Sequence, residues 1–95
     1  MYKTKAYLTL GSVSLFGTTS DIPNVNVSVV NNGNTIRFSH SSFSESTIAI
    51  ATFIEYYDAE VTMTISSGDG ILDVTAYGPN SQYAPQFSFQ IVIYQ

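Results

Sequence analysis

The sequence contains no cysteine, no tryptophan and few charged residues. The absence of cysteine and the shortage of charge each exclude whole classes of protein. Without cysteine there can be no disulfide framework, thiol nucleophile or zinc–thiolate site. Charged residues make up 11% of the chain, against about 25% in an average soluble domain. The cations are Lys3, Lys5 and Arg37, too few to neutralise the phosphates that drive nucleic-acid binding. We therefore expect no nucleic-acid partner.

Long apolar runs are also lacking. None approaches the ~18 residues of a membrane-spanning helix, and no apolar segment of a signal peptide follows residues 1–5. Membrane insertion is therefore not expected. The compartment stays unknown, because synthesis in the cytoplasm and processing to a surface or virion protein both fit. The 95 residues, 44% of them apolar, suffice for one domain over residues 1–95 with a single core.

What the sequence does have is a strong period of two among its apolar residues, as in half-buried strands. Valines alternate with polar residues over 25–29, and apolar residues alternate again over 36–40. Between them lies Asn32-Gly33, a pair favoured at the centre of a type I′ hairpin turn. Placing the turn there pairs Val29 with Ile36, Val27 with Phe38 and Val25 with His40, so that all apolar side chains share one face.

A second hairpin is predicted from residues 61–65 and 72–76, with either Gly68-Asp69 or Asp69-Gly70 at its centre. A first strand directs Ala6, Leu8 and Leu10 inward and reaches a turn or bulge at Gly11-Ser12. Residues 17–24 and 77–85 are predicted loops, and residues 86–95 form a final strand.

Residues 43–57 are compatible with two structures. As a strand, the segment places Ile48, Ile50 and Ile54 on one face; as a helix, it places Phe43, Ile50, Ile54 and others on one stripe. Its β-branched and aromatic residues favour the strand. The sequence thus predicts an all-β antiparallel sandwich or small barrel of about seven to eight strands, or an α+β fold if residues 43–57 are helical.

No arrangement of residues indicates catalysis, a metal or a cofactor. His40 is the only histidine, and no strained elbow presents a serine to it. Asp69 and Asp73 resemble a calcium loop only weakly, because apolar residues separate them. The acidic residues Glu55, Asp58 and Glu60 are more simply a charged turn that protects a sheet edge. We expect a protein that is not an enzyme.

Two segments suggest binding. Tyr77, Asn80, Gln82 and Tyr83 combine aromatic and amide side chains, which suit an adaptable recognition loop and a neutral saccharide ligand. The final strand carries Phe87, Phe89, Ile91, Ile93 and Tyr94 without charge or proline, and would invite pairing if it lay at a sheet edge.

The charge-poor surface, in which Ser, Thr, Asn and Gln are about a third of the chain, requires little desolvation on contact. The leading hypothesis is therefore a structural protein: a self-associating β-sandwich subunit of a virion, appendage or surface layer, with a homo-oligomeric or other protein partner. The alternatives are a small carbohydrate-binding module that uses the 77–83 loop, and a small acidic protein inhibitor.

Overall fold

The computed structural model describes residues 1–9, 11–55, 62–78 and 86–94. Within these ranges the regular secondary structure consists of strands and no helix, which confirms the all-β prediction. The strands are β1 (Tyr2–Thr9), β2 (Ser12–Ser20), β3 (Asn26–Val30), β4 (Thr35–Ser39), β5 (Ile48–Glu55), β6 (Thr62–Gly68), β7 (Ile71–Tyr77) and β8 (Gln86–Tyr94).

The strands form two four-stranded antiparallel sheets that pack as a small β-sandwich. Sheet A has the order β2-β1-β8-β5, and sheet B has the order β3-β4-β7-β6. Alternate side chains of the central strands point between the sheets. The core side chains are Tyr2, Ala6, Leu8, Ile22, Ile36, Phe38, Phe43, Leu72, Val74, Ala76, Phe87, Phe89, Ile91 and Ile93.

The β3–β4 hairpin has the predicted register, with Val29 opposite Ile36 and Val27 opposite Phe38. Its turn lies one residue earlier than predicted. The N–H of Gly33 donates to the carbonyl of Val30, so Asn31 and Asn32 are the central residues. Both have positive φ, at 54° and 59°, which asparagine tolerates better than most residues. The predicted pair of Val25 with His40 lies beyond the ladder, which ends at Asn26 and Ser39.

The β6–β7 hairpin turns at Asp69-Gly70, since Gly68 lies opposite Ile71. This selects the second of the two predicted turn positions. Gly70 has a φ of 77°, a conformation that glycine adopts without steric cost.

Residues 17–20 belong to β2, so the prediction that the loop begins at residue 17 is wrong. The register between β1 and β2 shifts by one residue, because Lys5 lies opposite Phe16 but Lys3 lies opposite Thr19. The extra residue on β2 is a β-bulge next to Gly17, whose φ is 63°. Because the bulge accommodates the extra residue, the pairing of β2 with β1 continues to Ser20.

Residues 48–55 form strand β5 rather than a helix, and its faces are the reverse of what hydrophobicity suggests. Ala51 lies opposite Ile91 and Phe53 opposite Phe89, so alanines and Phe53 face the core and the isoleucines face outward. The side chains that β8 contributes are large and completely buried. Small residues therefore suffice on the neighbouring inner positions of β5.

Candidate self-association surface

Strand β8 does not offer the assembly surface that the sequence suggested. It lies between β1 and β5 in sheet A, and Phe87, Phe89, Ile91 and Ile93 are buried in the core. Both edges of the strand are already paired, so these four side chains are unavailable to a partner. Tyr94 differs, because 42% of it is exposed.

The exposed apolar surface lies instead on the outer face of β5 and β8. Here Ile48 is opposite Tyr94, and Ile50 is opposite Val92. Ile48 is 63% exposed, Ile50 59% and Ile54 39%, whereas Val92 is half-buried. We call the five side chains Ile48, Ile50, Ile54, Val92 and Tyr94 the isoleucine stripe.

A polar and aromatic rim borders the stripe on the β1 side. Lys3 lies opposite Val92 on the neighbouring strand, and Lys5 lies opposite Gln90. Beyond them, the exposed ring of Phe16 packs edge-to-face on Tyr7, with ring centroids 5.2 Å apart. An apolar centre with a charged rim is the usual anatomy of a protein–protein interface.

Strand β5 is also an edge strand of sheet A as far as the described residues show. Its residues 48–54 include no charged residue, proline or glycine. Charged residues and prolines are among the devices with which proteins usually protect an edge from pairing with another chain. Short segments with high β-propensity and no charge are typical of strands that do pair between chains.

The outer face of sheet B is largely polar, and the side chains at its centre are bonded to one another. The guanidinium of Arg37 donates two hydrogen bonds to the carboxylate of Asp73, at 2.8 and 2.9 Å. This bond raises the pKa of Arg37 above its ordinary value. The hydroxyls of Thr35 and Thr75 form a further bond of 2.8 Å beside it. The two faces of the sandwich thus differ sharply, and the isoleucine stripe is confined to one of them.

His40 lies at the end of the sandwich that carries the Asp69-Gly70 turn. Its backbone N–H donates to the carbonyl of Gly70, whose N–H donates to the carbonyl of Phe43. The Nδ1 atom accepts from the backbone N–H of Ser42 at 3.1 Å and lies 2.6 Å from its hydroxyl oxygen. These contacts hold the chain between β4 and β5 in place, and the imidazole ring packs against the Phe43 ring.

A shallow depression of about 430 Å³ lies next to His40, lined by Pro23, Asn24, Asn26, Ser39, His40, Ser41 and Gly70. Throughout the described ranges, no group of three or more His, Asp or Glu side chains is placed to hold a metal ion. Likewise, no helix in the described part of the chain is long and apolar enough to cross a membrane.

Of the predicted saccharide-binding residues, only Tyr77 belongs to the described residues. It is half-buried at the end of β7. Asn80, Gln82 and Tyr83 lie outside the described residues, as do Asp58 and Glu60 of the acidic group. Saccharide binding at the 77–83 loop therefore stays a prediction.

No protein-family model, curated protein or solved structure matches this chain.

The sequence does not predict the isoleucine stripe, although it contains one signal of it. The segment Ile48-Ala49-Ile50-Ala51 alternates two apolar residues of different size, so either set could face the core.

Proposed function

We propose that this protein is a non-enzymatic structural subunit that self-associates through the isoleucine stripe, as in a virion, appendage or surface layer. The observation that carries the proposal is the exposure of Ile48 and Ile50, each more than half exposed, on an uncharged edge strand. Large aliphatic side chains that cluster on an outer face mark an interaction site more often than a solvated surface.

The strength of this association follows from the exposed area. Burying an isoleucine side chain completely contributes about 1.5–3 kcal/mol. Because Ile48 and Ile50 are each about six-tenths exposed, covering them contributes roughly 1–2 kcal/mol per side chain. If a symmetric dimer covered four such side chains completely, it would gain roughly 4–8 kcal/mol from them, which is the upper value for this contact.

This gain is comparable to the loss of translational and rotational freedom, which costs about 4–15 kcal/mol. The isoleucines alone therefore support association that is weak and depends on concentration. Tight assembly requires further contacts, such as backbone pairing at the β5 edge or repetition of the interface among many copies.

The small number of charges supports a second copy of this chain as the partner. The net charge is −4 with only 11% charged residues, and none of the five side chains of the stripe is charged. Two copies can therefore bring their stripes together without desolvating an ion, which is the costly step in polar interfaces.

Light scattering coupled to size exclusion tests the proposal over a wide range of protein concentrations. We expect the average mass to rise with concentration, and the rise to disappear in Ile50→Lys, which places a charge in the stripe. The matched control is Thr64→Lys, which adds the same charge to an exposed position of the edge strand β6. A strictly monomeric parent chain at high concentration and low salt would contradict the proposal.

A further inference from the structure

We infer that two copies of this chain join their β5 strands edge to edge, antiparallel, about a two-fold axis at Ala51. The result is one continuous eight-stranded sheet, in which the two isoleucine stripes lie side by side. This inference rests on the proposed function and specifies how the copies meet.

The first argument compares the edge strands of the sandwich. β2 is twisted by the bulge at Gly17, and β3 is only five residues long. Bulges and short length are both features that discourage pairing with another chain. β6 is longer, but its most outward positions carry Thr and Ser. The register irregularity of β5 lies near the end of the strand, between Phe53 and Glu55. Among the edge strands that the structure describes, only β5 combines a regular run of six residues, 48–53, with several exposed isoleucines.

The second argument fixes the orientation. In an antiparallel pair, side chains directly opposite each other lie on the same face. A two-fold axis perpendicular to the sheet therefore keeps both isoleucine stripes on one face, and both inner faces over their own cores. Identical surfaces meet across such an axis, so no second kind of interface is required.

The third argument fixes the register. The exposed outer face of β5 runs from Ile48 to Ile54: Thr47 is buried before it, and the ladder with β8 is regular as far as Phe53. Pairing all seven residues of this segment places its midpoint, Ala51, on the axis. Ile50 then lies opposite Thr52 of the second copy, and Ile48 lies opposite Ile54 of the second copy.

The occupant is a second copy because the segment complements itself. No charge occurs in residues 48–54, so antiparallel pairing brings no like charges together. A paired edge of seven residues extends over ~24 Å, with the exposed isoleucines of both copies on one side of it.

Single cysteines test the register, since the chain contains none of its own. We would mix Ile50→Cys with Thr52→Cys under mild oxidation and separate the cross-linked species by mass. Directly opposite residues have Cα atoms about 4.5–5.5 Å apart, within the range of a disulfide. In a homodimer of either variant, the two introduced thiols would sit on Cα atoms about 8 Å apart, which a disulfide does not span.

Random pairing of equal amounts of the two variants would give twice as much mixed dimer as either homodimer. We expect the amount of cross-linked mixed dimer to exceed this twofold ratio by a wide margin. Both positions are exposed, so neither substitution disturbs the core. Thr64→Cys on β6, mixed with either variant, is the control that should yield only background cross-linking.

The outcomes separate the two proposals. Homodimers in excess, or cross-links in the proportions of random pairing, would overturn pairing about Ala51. An absence of cross-links while light scattering still shows oligomers would overturn edge pairing and leave the proposed function in place. A monomer at every concentration would overturn both.

Discussion

Replacing Ile50 by threonine should weaken self-association while leaving the folded monomer intact. Ile50 is 59% exposed, so covering it contributes about 1–2 kcal/mol per copy. A symmetric dimer loses this contribution twice. Threonine keeps one methyl group, and the outer face of the joined sheet stays partly open to solvent, so we take about 1–2 kcal/mol for the dimer. Since 1.4 kcal/mol is a factor of ten in affinity, the dissociation constant should rise roughly 5- to 30-fold. Threonine retains a high β-propensity, so the free energy of unfolding should change by less than about 1 kcal/mol.

Sedimentation equilibrium at several loading concentrations measures this dissociation constant. The matched control is Ile65→Thr, the same substitution on the edge strand of sheet B, where the side chain lies opposite the buried Val74. The control should change the dissociation constant by less than about threefold, a difference below about 1 kcal/mol. Equal dissociation constants for the parent chain and Ile50→Thr, or an equally large effect of Ile65→Thr, would refute the assignment of the interface to the stripe.

Three further predictions concern the fold. Phe38→Ala should lower the free energy of unfolding by about 3–5 kcal/mol, because removing a completely buried ring leaves a cavity. Urea denaturation measures this change, and a loss below about 1 kcal/mol would contradict the position of Phe38 in the core. Gly33→Ala should lower the free energy of unfolding by about 1–2 kcal/mol in the same assay, since Gly33 has a φ of 90° and a Cβ atom there would lie 3.3 Å from the Cα of Gly11. An unchanged denaturation midpoint would contradict the turn geometry. The Met1 ammonium hydrogen-bonds to Asp21 and lowers the pKa of that carboxyl below its ordinary value. The bond therefore stabilises the fold above about pH 4 and is lost as the pH falls through the lowered pKa. NMR titration should show the lowered pKa of Asp21, and acetylation of the amine should raise it again.

The hairpins were predictable because their information is local. In β3 and β4, the alternation of apolar residues and a turn-forming asparagine segment specify the same register, and neither depends on the rest of the chain. The error of one residue at the turn has a simple cause. Asn31 tolerates positive φ as well as Asn32 does, so three consecutive residues were candidates for two positions.

The orientation of β5 could not be predicted in the same way. A strand in which isoleucine alternates with alanine can turn either set inward, and hydrophobicity favours the isoleucines. The observed choice follows from pairing with β8, about forty residues further along the chain, whose phenylalanines and isoleucines already fill the core. Which strand pairs with β5 depends on the topology of the whole sheet and not on the sequence of β5 itself.

The same reason explains why the sequence could not show which uncharged strand lies at a sheet edge. The segments 87–93 and 48–54 are similar in composition, and both are free of charge and proline. Which of them lies at an edge depends on the strand order, in which β8 is central and β5 is not. The sequence therefore indicated an uncharged strand that could be left unprotected, whereas the structure identifies β5 as that strand.

Amide hydrogen exchange at low and high protein concentration tests the central claim most directly, because it reports on β5 itself. We predict that protection of the amides in residues 48–54 increases with concentration, while protection in β6 stays constant. Exchange in β5 that is the same at both concentrations, in a sample that scattering shows to be associated, would contradict the account.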